Sequence, residues 1–221
     1  MSRQLLSFTV RRATTEADFR AACRVRVASY GHHLPGMADA WSEPDALDRH
    51  PDTVVFVATC KSSGEPVGTV RLASNAHGPT QIERSTPLPD SIAGRPMAEV
   101  TRLGVVPGHD DPAVKLGLMK TIYLHSMAHQ VRWMVIGARS ESLVRQYRRL
   151  GFTDLKAGRS VELAHAGGLP HRVLGFDVTA AERNWHALRH PFYDFMVSSY
   201  HPDIDIFGGP RSAAAGERRY G

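Results

Sequence analysis

A glutamate and an arginine interrupt the otherwise apolar run AEVTRLGVV at residues 98–106. The run is rich in residues typical of β-strands, and Pro107-Gly108 and a segment of helical periodicity follow it. Burying Glu99 and Arg102 in a sheet costs several kcal/mol for each unpaired charge. The pair therefore lies either at an exposed strand end or in a site that uses a carboxylate as general base and a guanidinium as anion ligand.

The spacing of this pair sets a geometric condition. In a regular strand, residues three positions apart point to opposite faces of the sheet. Glu99 and Arg102 can therefore share one site only if a β-bulge reorients one of them.

Two further arginines fall among apolar residues. Arg26 lies on the apolar face of a helix that is predicted to begin after the N-cap residue Thr15 and to include Tyr30. Arg71 lies on the second strand of a predicted β-hairpin over residues 53–74. Each arginine either extends its charge to solvent along its aliphatic stem or binds an anion.

A long polar segment, residues 31–52, separates that helix from the hairpin and carries Asp45 and Asp48. Loops of this length inside a compact domain are usually functional or mobile. The two carboxylates can pair with the arginines and pin the loop, or they can leave the arginines free to bind a substrate carboxylate. His32 and His33, in the same loop, are predicted to lie at the surface, because no third metal ligand stands at a suitable spacing.

The remaining chain alternates predicted strands and helices. One short helix is predicted to begin after Ser140 and to end at Gly151, and an aromatic-rich helical segment is interrupted at Pro191. This order predicts one α/β domain over residues 1–207, with a mixed central sheet flanked by helices. The tail over residues 208–221 is low in apolar residues and is predicted to be disordered.

Composition argues against several classes of protein. No apolar run approaches the roughly 20 residues of a membrane span, and the first residues lack the core of a signal peptide, which favours a cytoplasmic protein without stable membrane insertion. Two cysteines form neither a disulfide framework nor a metal motif. The net charge of +5 comes mostly from arginine, and no nucleic-acid-binding motif accompanies it. An acidic protein or an anionic small-molecule partner explains the charge equally well, and Arg145, Arg148 and Arg149 either form a solvated helix face or dock an acidic partner.

The order of elements and the helix ending YRRLGF, at residues 147–152, resemble the GCN5-related N-acetyltransferase (GNAT) fold over residues 8–180. GNAT enzymes that use acetyl-CoA carry a glycine-rich loop between the central strand and its helix, where backbone N–H groups hold the pyrophosphate. Here the corresponding segment is PGHDDPAVK, residues 107–115. Its two aspartates, Asp110 and Asp111, would repel a CoA pyrophosphate.

A set of charged and aromatic residues resembles the autoinducer-synthase-like group, which includes acyl-homoserine-lactone synthases and N-acyl amino acid synthases. That group carries an arginine followed four residues later by an aromatic residue, then two aspartates three apart, an arginine on the next strand, and Glu-x-x-Arg on the central strand. The matching residues here are Arg26, Tyr30, Asp45, Asp48, Arg71, Glu99 and Arg102. Trp41 comes later than the tryptophan of the lactone synthases, and Leu103-Gly104 follow Arg102, which brings the chain closer to the N-acyl amino acid synthases.

The resemblance implies an N-acyltransferase that moves a fatty acyl group from an acyl carrier protein or CoA thioester to the amine of an amino acid. It implies no cofactor beyond the thioester co-substrate and no metal, with an acyl carrier protein and a small-molecule amine as partners and no nucleic acid. The implied catalytic residues are Glu99 and Arg102, and the implied substrate-binding residues are Arg26, Tyr30, Asp45, Asp48 and Arg71. Four residues are candidates to line an acyl slot, with core packing as the favoured use of each: Met119, Tyr123, Trp133 and Met134. Two alternatives are a lactone synthase that uses S-adenosylmethionine and a non-catalytic domain that binds an acyl group or a carrier protein.

Overall fold

A computed structural model describes residues 2–31, 39–109 and 111–208 of the chain. The strands are β1 (Ser2–Arg3), β2 (Phe8–Arg12), β3 (Thr53–Cys60), β4 (Pro66–Ser74), β5 (Met97–Val105), β6 (Trp133–Ala138), β7 (Thr153–Asp154), β8 (Ser160–Leu163), β9 (Leu169–Asp177), β10 (Ser199–Tyr200) and β11 (Ile204–Asp205). The helices are α1 (Glu16–Tyr30), α2 (Gln81–Ser85), α3 (Ala113–Ala128), α4 (Glu141–Arg149) and α5 (Ala181–Ala187). His32, His33 and residues 209–221 of the predicted tail lie outside the described residues.

The main sheet is mixed and has the strand order β11-β2-β3-β4-β5-β6-β9-β7, with β8 added to β9. The β11–β2 and β5–β6 pairs are parallel, and the remaining pairs are antiparallel. Because side chains alternate along a strand, β3 has two apolar faces. Phe56 packs in the cluster that contains α3, whereas Val55 packs with Ala22 of α1. Helices thus cover both faces, and the predicted α/β architecture is confirmed.

Local sequence signals fix the ends of two helices near the candidate site. Thr15 Oγ1 accepts a hydrogen bond from Asp18 N, and the Asp18 carboxylate accepts one from Thr15 N, which completes a capping box at the start of α1. Ser140 Oγ accepts a hydrogen bond from Leu143 N at 3.3 Å and begins α4. Gly151, with φ of 102°, follows α4 in a conformation that glycine adopts readily.

The aromatic-rich segment, predicted to be a helix broken or kinked at Pro191, does not resume as an α-helix after that proline. Helix α5 ends before Pro191, a π-helical turn covers Asp194–Ser198, and β10 and β11 then join β1 and β2. Lys120 of α3 is buried here and donates hydrogen bonds to the carbonyl oxygens of Phe195 and Ser199 at 2.7 and 2.6 Å. Long-range pairing of this kind leaves no local pattern in the sequence.

Two irregularities in β5 create a gap in the middle of the sheet. The β5–β6 ladder runs only from Met97–Trp133 to Val100–Ile136, although β5 continues to Val105. On the other side, Arg71 pairs with Thr101 and Thr69 pairs with Gly104, so two β5 residues stand opposite one residue of β4. This is a β-bulge, and it lies where the parallel strands separate.

Candidate active site

Two of the predicted site arginines are held by the two loop aspartates. Arg26 donates to both carboxylate oxygens of Asp48 at 2.7 Å each, and both side chains are buried. Arg71 Nη1 donates to both oxygens of Asp45 at 2.8 Å and to Asp48 Oδ1 at 3.2 Å. Arg71 Nε also donates to Thr101 Oγ1 at 2.9 Å. These bonds pin the loop against α1 and β4, which is the structural role that the sequence left open for these residues.

The electrostatics of this network favour its charged form. Burial would raise the pKa of Asp48, but the hydrogen bonds and charges of Arg26 and Arg71 outweigh burial and hold the pKa below its usual value. Burial would lower the pKa of Arg26, and its bond to Asp48 more than offsets that effect. Removing one partner would therefore leave an uncompensated buried charge.

Glu99 points into the protein and is 1% exposed. Its Oε2 accepts a hydrogen bond from the backbone N–H of Ile82, in the first turn of α2, at 3.0 Å. Its Oε1 lies 3.2 Å from Nε2 of His165, within ion-pair distance, although the imidazole is not aligned for a hydrogen bond. Glu99 and Thr101 are two apart on β5, so Glu99 shares a sheet face with the Arg71 that binds Thr101.

Arg102 occupies the bulge that the Glu-x-x-Arg spacing required. Its backbone φ is 55°, a left-handed conformation that is uncommon for residues other than glycine. The bulge consists of Arg102 and Leu103, which together face Val70 of β4. Arg102 is thereby reoriented, and it lines the same cavity as Glu99.

The charge of Arg102 is compensated less than that of Arg71. Its guanidinium lies 4.0 Å from Asp45 Oδ2 and 4.9 Å from the centre of the Trp41 ring. Among the described residues, no group hydrogen-bonds its buried Nε atom. Burial and the charges of Arg71 and Arg26 lower the pKa of Arg102 to about 10, so it stays cationic at pH 7.

Two aromatic side chains form a wall beside the bulge. Tyr30 Oη donates a hydrogen bond to the carbonyl oxygen of Leu103 at 2.5 Å, and burial raises the pKa of Tyr30 to about 12. Trp41, which the sequence placed late for the family pattern, packs edge-on against Tyr30 with ring centres 5.1 Å apart. The close approach of α1 depends on Gly104, because a Cβ atom there would lie 2.6 Å from Ser29 Oγ.

These residues surround a cavity of about 160 Å³ in the gap between β5 and β6. Its polar lining includes Tyr30, Arg71, Glu99 and Arg102. Its apolar lining comes from Leu103, Ile136, Leu143, Tyr147, Leu163 and Leu169.

None of the four candidate acyl-slot residues lines this cavity. Met119 borders a different cavity, of about 170 Å³, between α3 and α4. Tyr123 and Met134 pack in the main core, and Trp133 packs on the smaller apolar cluster of the other sheet face. Tyr123, Trp133 and Met134 are therefore used in core packing, which is the other common role of apolar residues at helix and strand spacing.

A larger cavity, of about 800 Å³, lies at the other end of β3, β4 and β5, where Asp52, Ser74 and Met97 border it. None of the sequence-predicted site residues lines it. We place the candidate active site in the smaller cavity because buried ionisable groups converge there.

The sequence did not point to His165, which stands closest to Glu99 among the described ionisable groups. His165 belongs to the short turn Ala164–Ala166 between β8 and β9, and Gly167 and Gly168 complete that turn with φ of 71° and 72°. The only local signal was a histidine in the glycine-rich stretch AHAGG. His171 of β9 lines the same cavity, and burial, followed by the charge of His165, lowers its pKa.

The start of α3 is closed by a carboxylate. Asp111 Oδ1 accepts a hydrogen bond from Ala113 N at 2.8 Å, and Asp111 Oδ2 accepts one from Ser7 Oγ. Asp110 lies outside the described residues. Negative charge at this helix N-terminus opposes the binding of a pyrophosphate.

Within the described ranges, no cluster of three or more histidine, cysteine, aspartate or glutamate side chains is arranged to hold a metal ion. None of the helices in the described part of the chain has the length and apolar character needed to cross a bilayer.

Solved structures show the fold to which this architecture belongs. FeeM, an N-acyl amino acid synthase from uncultured soil microbes, superposes with a TM-score of 0.60 at 16% identity, covering 86% of this chain and 98% of that chain. The CoA-dependent acyl-homoserine lactone synthase BjaI, solved with SAM and isopentyl-CoA, gives 0.59 at 17% identity, covering 88% and 93%. An acetyltransferase of the GNAT family from Staphylococcus aureus gives 0.52 at 11% identity, covering 77% and 99%. At these identities the likeness establishes the GNAT fold alone.

Sequence comparison supplies the family. No curated protein matches the chain by sequence. A family model described as N-acyl amino acid synthase FeeM matches residues 21–173, which is more than half of the chain. That match spans every predicted site residue from Arg26 to Arg102 and also His165. The chain is therefore an acyltransferase that belongs to the FeeM family of N-acyl amino acid synthases.

Proposed function

We propose that this enzyme transfers a fatty acyl group from an acyl-carrier-protein thioester to the amine of an amino acid. The observation that carries the proposal is the pairing of Glu99, a buried carboxylate, with Arg102, an incompletely compensated guanidinium, in one cavity. An amino acid presents the complementary charges, an ammonium and a carboxylate, a few ångströms apart.

The acceptor carboxylate is assigned to Arg102. Arg26, Arg71 and Arg102 face two network aspartates, Asp45 and Asp48, so one positive charge is in excess. The excess resides on Arg102, because Arg26 and Arg71 make short bonds to the aspartates and Arg102 does not. A guanidinium binds a carboxylate in bidentate fashion and orients it.

Glu99 is assigned as the general base. Attack on a thioester requires a neutral amine, and a base within hydrogen-bond reach can remove a proton from the acceptor ammonium. The hydrogen bond from Ile82 N to Oε2 fixes the carboxylate and leaves Oε1 toward the cavity side that His165 borders. Backbone N–H groups around the Arg102 bulge are the candidate donors to the tetrahedral oxyanion.

The donor is assigned to a carrier protein on two grounds. Asp111 closes the α3 N-terminus, where the pyrophosphate of CoA would need positive potential. Helix α4 turns Leu143 and Tyr147 toward the cavity, and its arginines Arg145 and Arg149 are exposed on the other side. An acidic carrier protein on that face would deliver its thioester arm next to the cavity.

The cavity also limits how the acyl chain binds. About 160 Å³ is smaller than the roughly 300–1,000 Å³ of typical small-molecule sites. The cavity therefore holds the reacting ends of the two substrates, and a long chain requires it to extend along its apolar wall of Ile136, Leu143 and Leu163.

The proposal is tested with the purified enzyme. The enzyme is incubated with carrier-protein thioesters of short, medium and long chains together with a mixture of amino acids, and products are identified by mass spectrometry. Parallel reactions replace the carrier thioester by acyl-CoA, or the amino acids by S-adenosylmethionine. Amides of amino acids from the carrier thioester support the proposal. Formation of a lactone from S-adenosylmethionine would contradict the acceptor assignment. Exclusive use of acyl-CoA would contradict the assignment of a carrier protein as donor. The absence of product in every reaction would contradict the proposed function as a whole.

A further inference from the structure

The proposed reaction leaves a proton that has to exit the protein, and this inference rests on that proposed function. An ammonium that becomes an amide loses two protons, and the departing thiolate takes up one of them. The second proton remains on Glu99, which must release it before the next turnover. Glu99 is 1% exposed, so a more exposed neighbour that can accept the proton would assist its release to bulk water.

We propose that His165 is the proton outlet of Glu99. Its Nε2 lies 3.2 Å from Oε1 of Glu99, and no other described ionisable side chain forms an ion pair with Glu99. The His165 side chain is 16% exposed, so it connects the buried carboxylate to the protein surface. Hydrogen bonds of catalytic pairs are often loose without substrate and tighten when it binds, which accounts for the unaligned imidazole.

The proton transfer balances without any further reactant. The O–H bond of protonated Glu99 breaks as an Nε2–H bond forms, which gives a carboxylate and an imidazolium. The imidazolium then loses one proton to water, and both groups return to their starting charge. No described residue hydrogen-bonds His165 Nδ1, and a buried ring nitrogen in that state is a place where a bridging water is expected.

Several titratable and charged groups surround His165. The titratable and charged groups that line the same cavity are Tyr30, Arg71, Glu99, Arg102, Arg139, Tyr147 and His171. Helix α2 packs against the turn. Its Glu83 carboxylate accepts hydrogen bonds from Thr80 N and Asn75 Nδ2, and its Arg84 is exposed. Glu99 is thus the one carboxylate among the groups that line this cavity, and it lies at ion-pair distance from His165.

Two substitutions separate proton transfer from packing. His165→Gln retains a polar group of similar reach that cannot carry the proton, and His165→Ala opens space for added imidazole. We expect kcat to fall about 10- to 100-fold in both, toward the low end of general acid–base effects, with the KM values of donor and acceptor unchanged. Imidazole in the buffer should restore kcat in His165→Ala and should have no effect on Glu99→Gln. His186→Gln, at an exposed histidine on α5, is the matched control and should keep wild-type kcat.

Three results would overturn the proposal. The first is wild-type turnover in His165→Gln. The second is a rise in the KM of the acceptor at constant kcat in either variant. The third is a loss of kcat in His165→Ala that added imidazole does not restore. A readout without product keeps the inference separate from the proposed function. In ¹⁵N NMR spectra of the imidazole nitrogens, Glu99→Gln should shift the His165 resonances more than those of any other histidine. Unmoved His165 resonances would show that the pair does not form, whatever the substrates prove to be.

Discussion

Arg71 and Arg102 come from adjacent strands and line one cavity, yet their charges are satisfied in different ways. Arg71 makes short hydrogen bonds to Asp45, Asp48 and Thr101. Arg102 reaches Asp45 only at 4.0 Å and lies over the ring of Trp41. The site therefore has a closed half, where carboxylates and guanidiniums are paired, and an open half, where Glu99 and Arg102 retain capacity for a ligand.

The difference indicates how a loop can be fixed beside a reactive centre. The closed half ties the loop to α1 and β4 through the buried ion pairs of Asp48 with Arg26 and Arg71, and removing one partner of such a pair is strongly destabilising. The open half lies on the bulge of β5, where φ of Arg102 is 55°. Uncommon backbone conformations are retained where the surrounding structure enforces them, and they concentrate at functional sites.

Glu99→Gln gives the largest expected effect, and it tests the open half. Glutamine retains the oxygen that accepts the Ile82 N–H but cannot act as a base, so turnover should fall about 100- to 10,000-fold. The free energy of unfolding should change little. Rates of amide formation and urea unfolding curves on the same preparation measure the two quantities. Equal losses of turnover and stability would assign Glu99 to structure.

Asp48→Asn is the matched substitution in the closed half, because Asp48 is another carboxylate with a side chain 1% exposed. Loss of its charge leaves Arg26 buried without compensation, and we expect the free energy of unfolding to fall by about 3–5 kcal/mol. The fraction of Asp48→Asn that remains folded should keep the wild-type kcat. A variant that folds as stably as wild type but no longer turns over would reverse the roles that we give to the two halves.

Acidity provides a second test of the closed half. The pKa of Asp48 is lowered in the folded protein, so its contribution to stability is present above the unfolded-state pKa of about 3.9 and is lost as pH falls through the folded-state pKa. The stability difference between wild type and Asp48→Asn should be constant from about pH 5 to pH 7 and should shrink below about pH 4. Urea unfolding across this range measures it. A difference that persists at acid pH would show that the charge of Asp48 is not its source.

The smallest effect concerns the exposed face of α4. Replacing Arg145 and Arg149 by glutamate should raise the KM of carrier-protein thioesters about 10-fold and reduce its dependence on salt, because association loses favourable electrostatic steering. The KM of the amino acid should not change. Arg183→Glu, at an exposed position on α5, serves as the control. The same rise in both variants would indicate an unspecific effect of charge.

Local patterns carried much of the fold and the order of the motif. The capping residues Thr15 and Ser140 begin their helices, the hairpin formed by β3 and β4 is present, and the Glu-x-x-Arg spacing required a bulge that the strand pairing contains. These features depend on residues that are close in sequence. The roles of the predicted site residues in catalysis and binding stay predictions.

Long-range contacts explain what the sequence did not reveal. Which arginines pair with Asp45 and Asp48 depends on the path of a loop, and the partner of Glu99, His165, is brought in by a turn far along the chain. The cavity wall was missed for the same reason, because apolar residues at helical spacing serve a core and a substrate slot equally well. Trp41 reaches Tyr30 and Arg102 although its sequence position departs from the family pattern.

The most direct test of the central claim compares two acceptors on Arg102→Gln, namely an amino acid that wild type accepts and the amine that lacks its carboxylate. Hydrogen bonds to a charged group contribute roughly 1.5–3 kcal/mol, so we predict that kcat/KM for the amino acid falls about 10- to 150-fold. The value for the decarboxylated amine should stay within about 2-fold of wild type, because that amine makes no contact that the substitution removes. An equal fall for both acceptors, or no fall for the amino acid, would contradict the assignment of Arg102 as the ligand of the acceptor carboxylate.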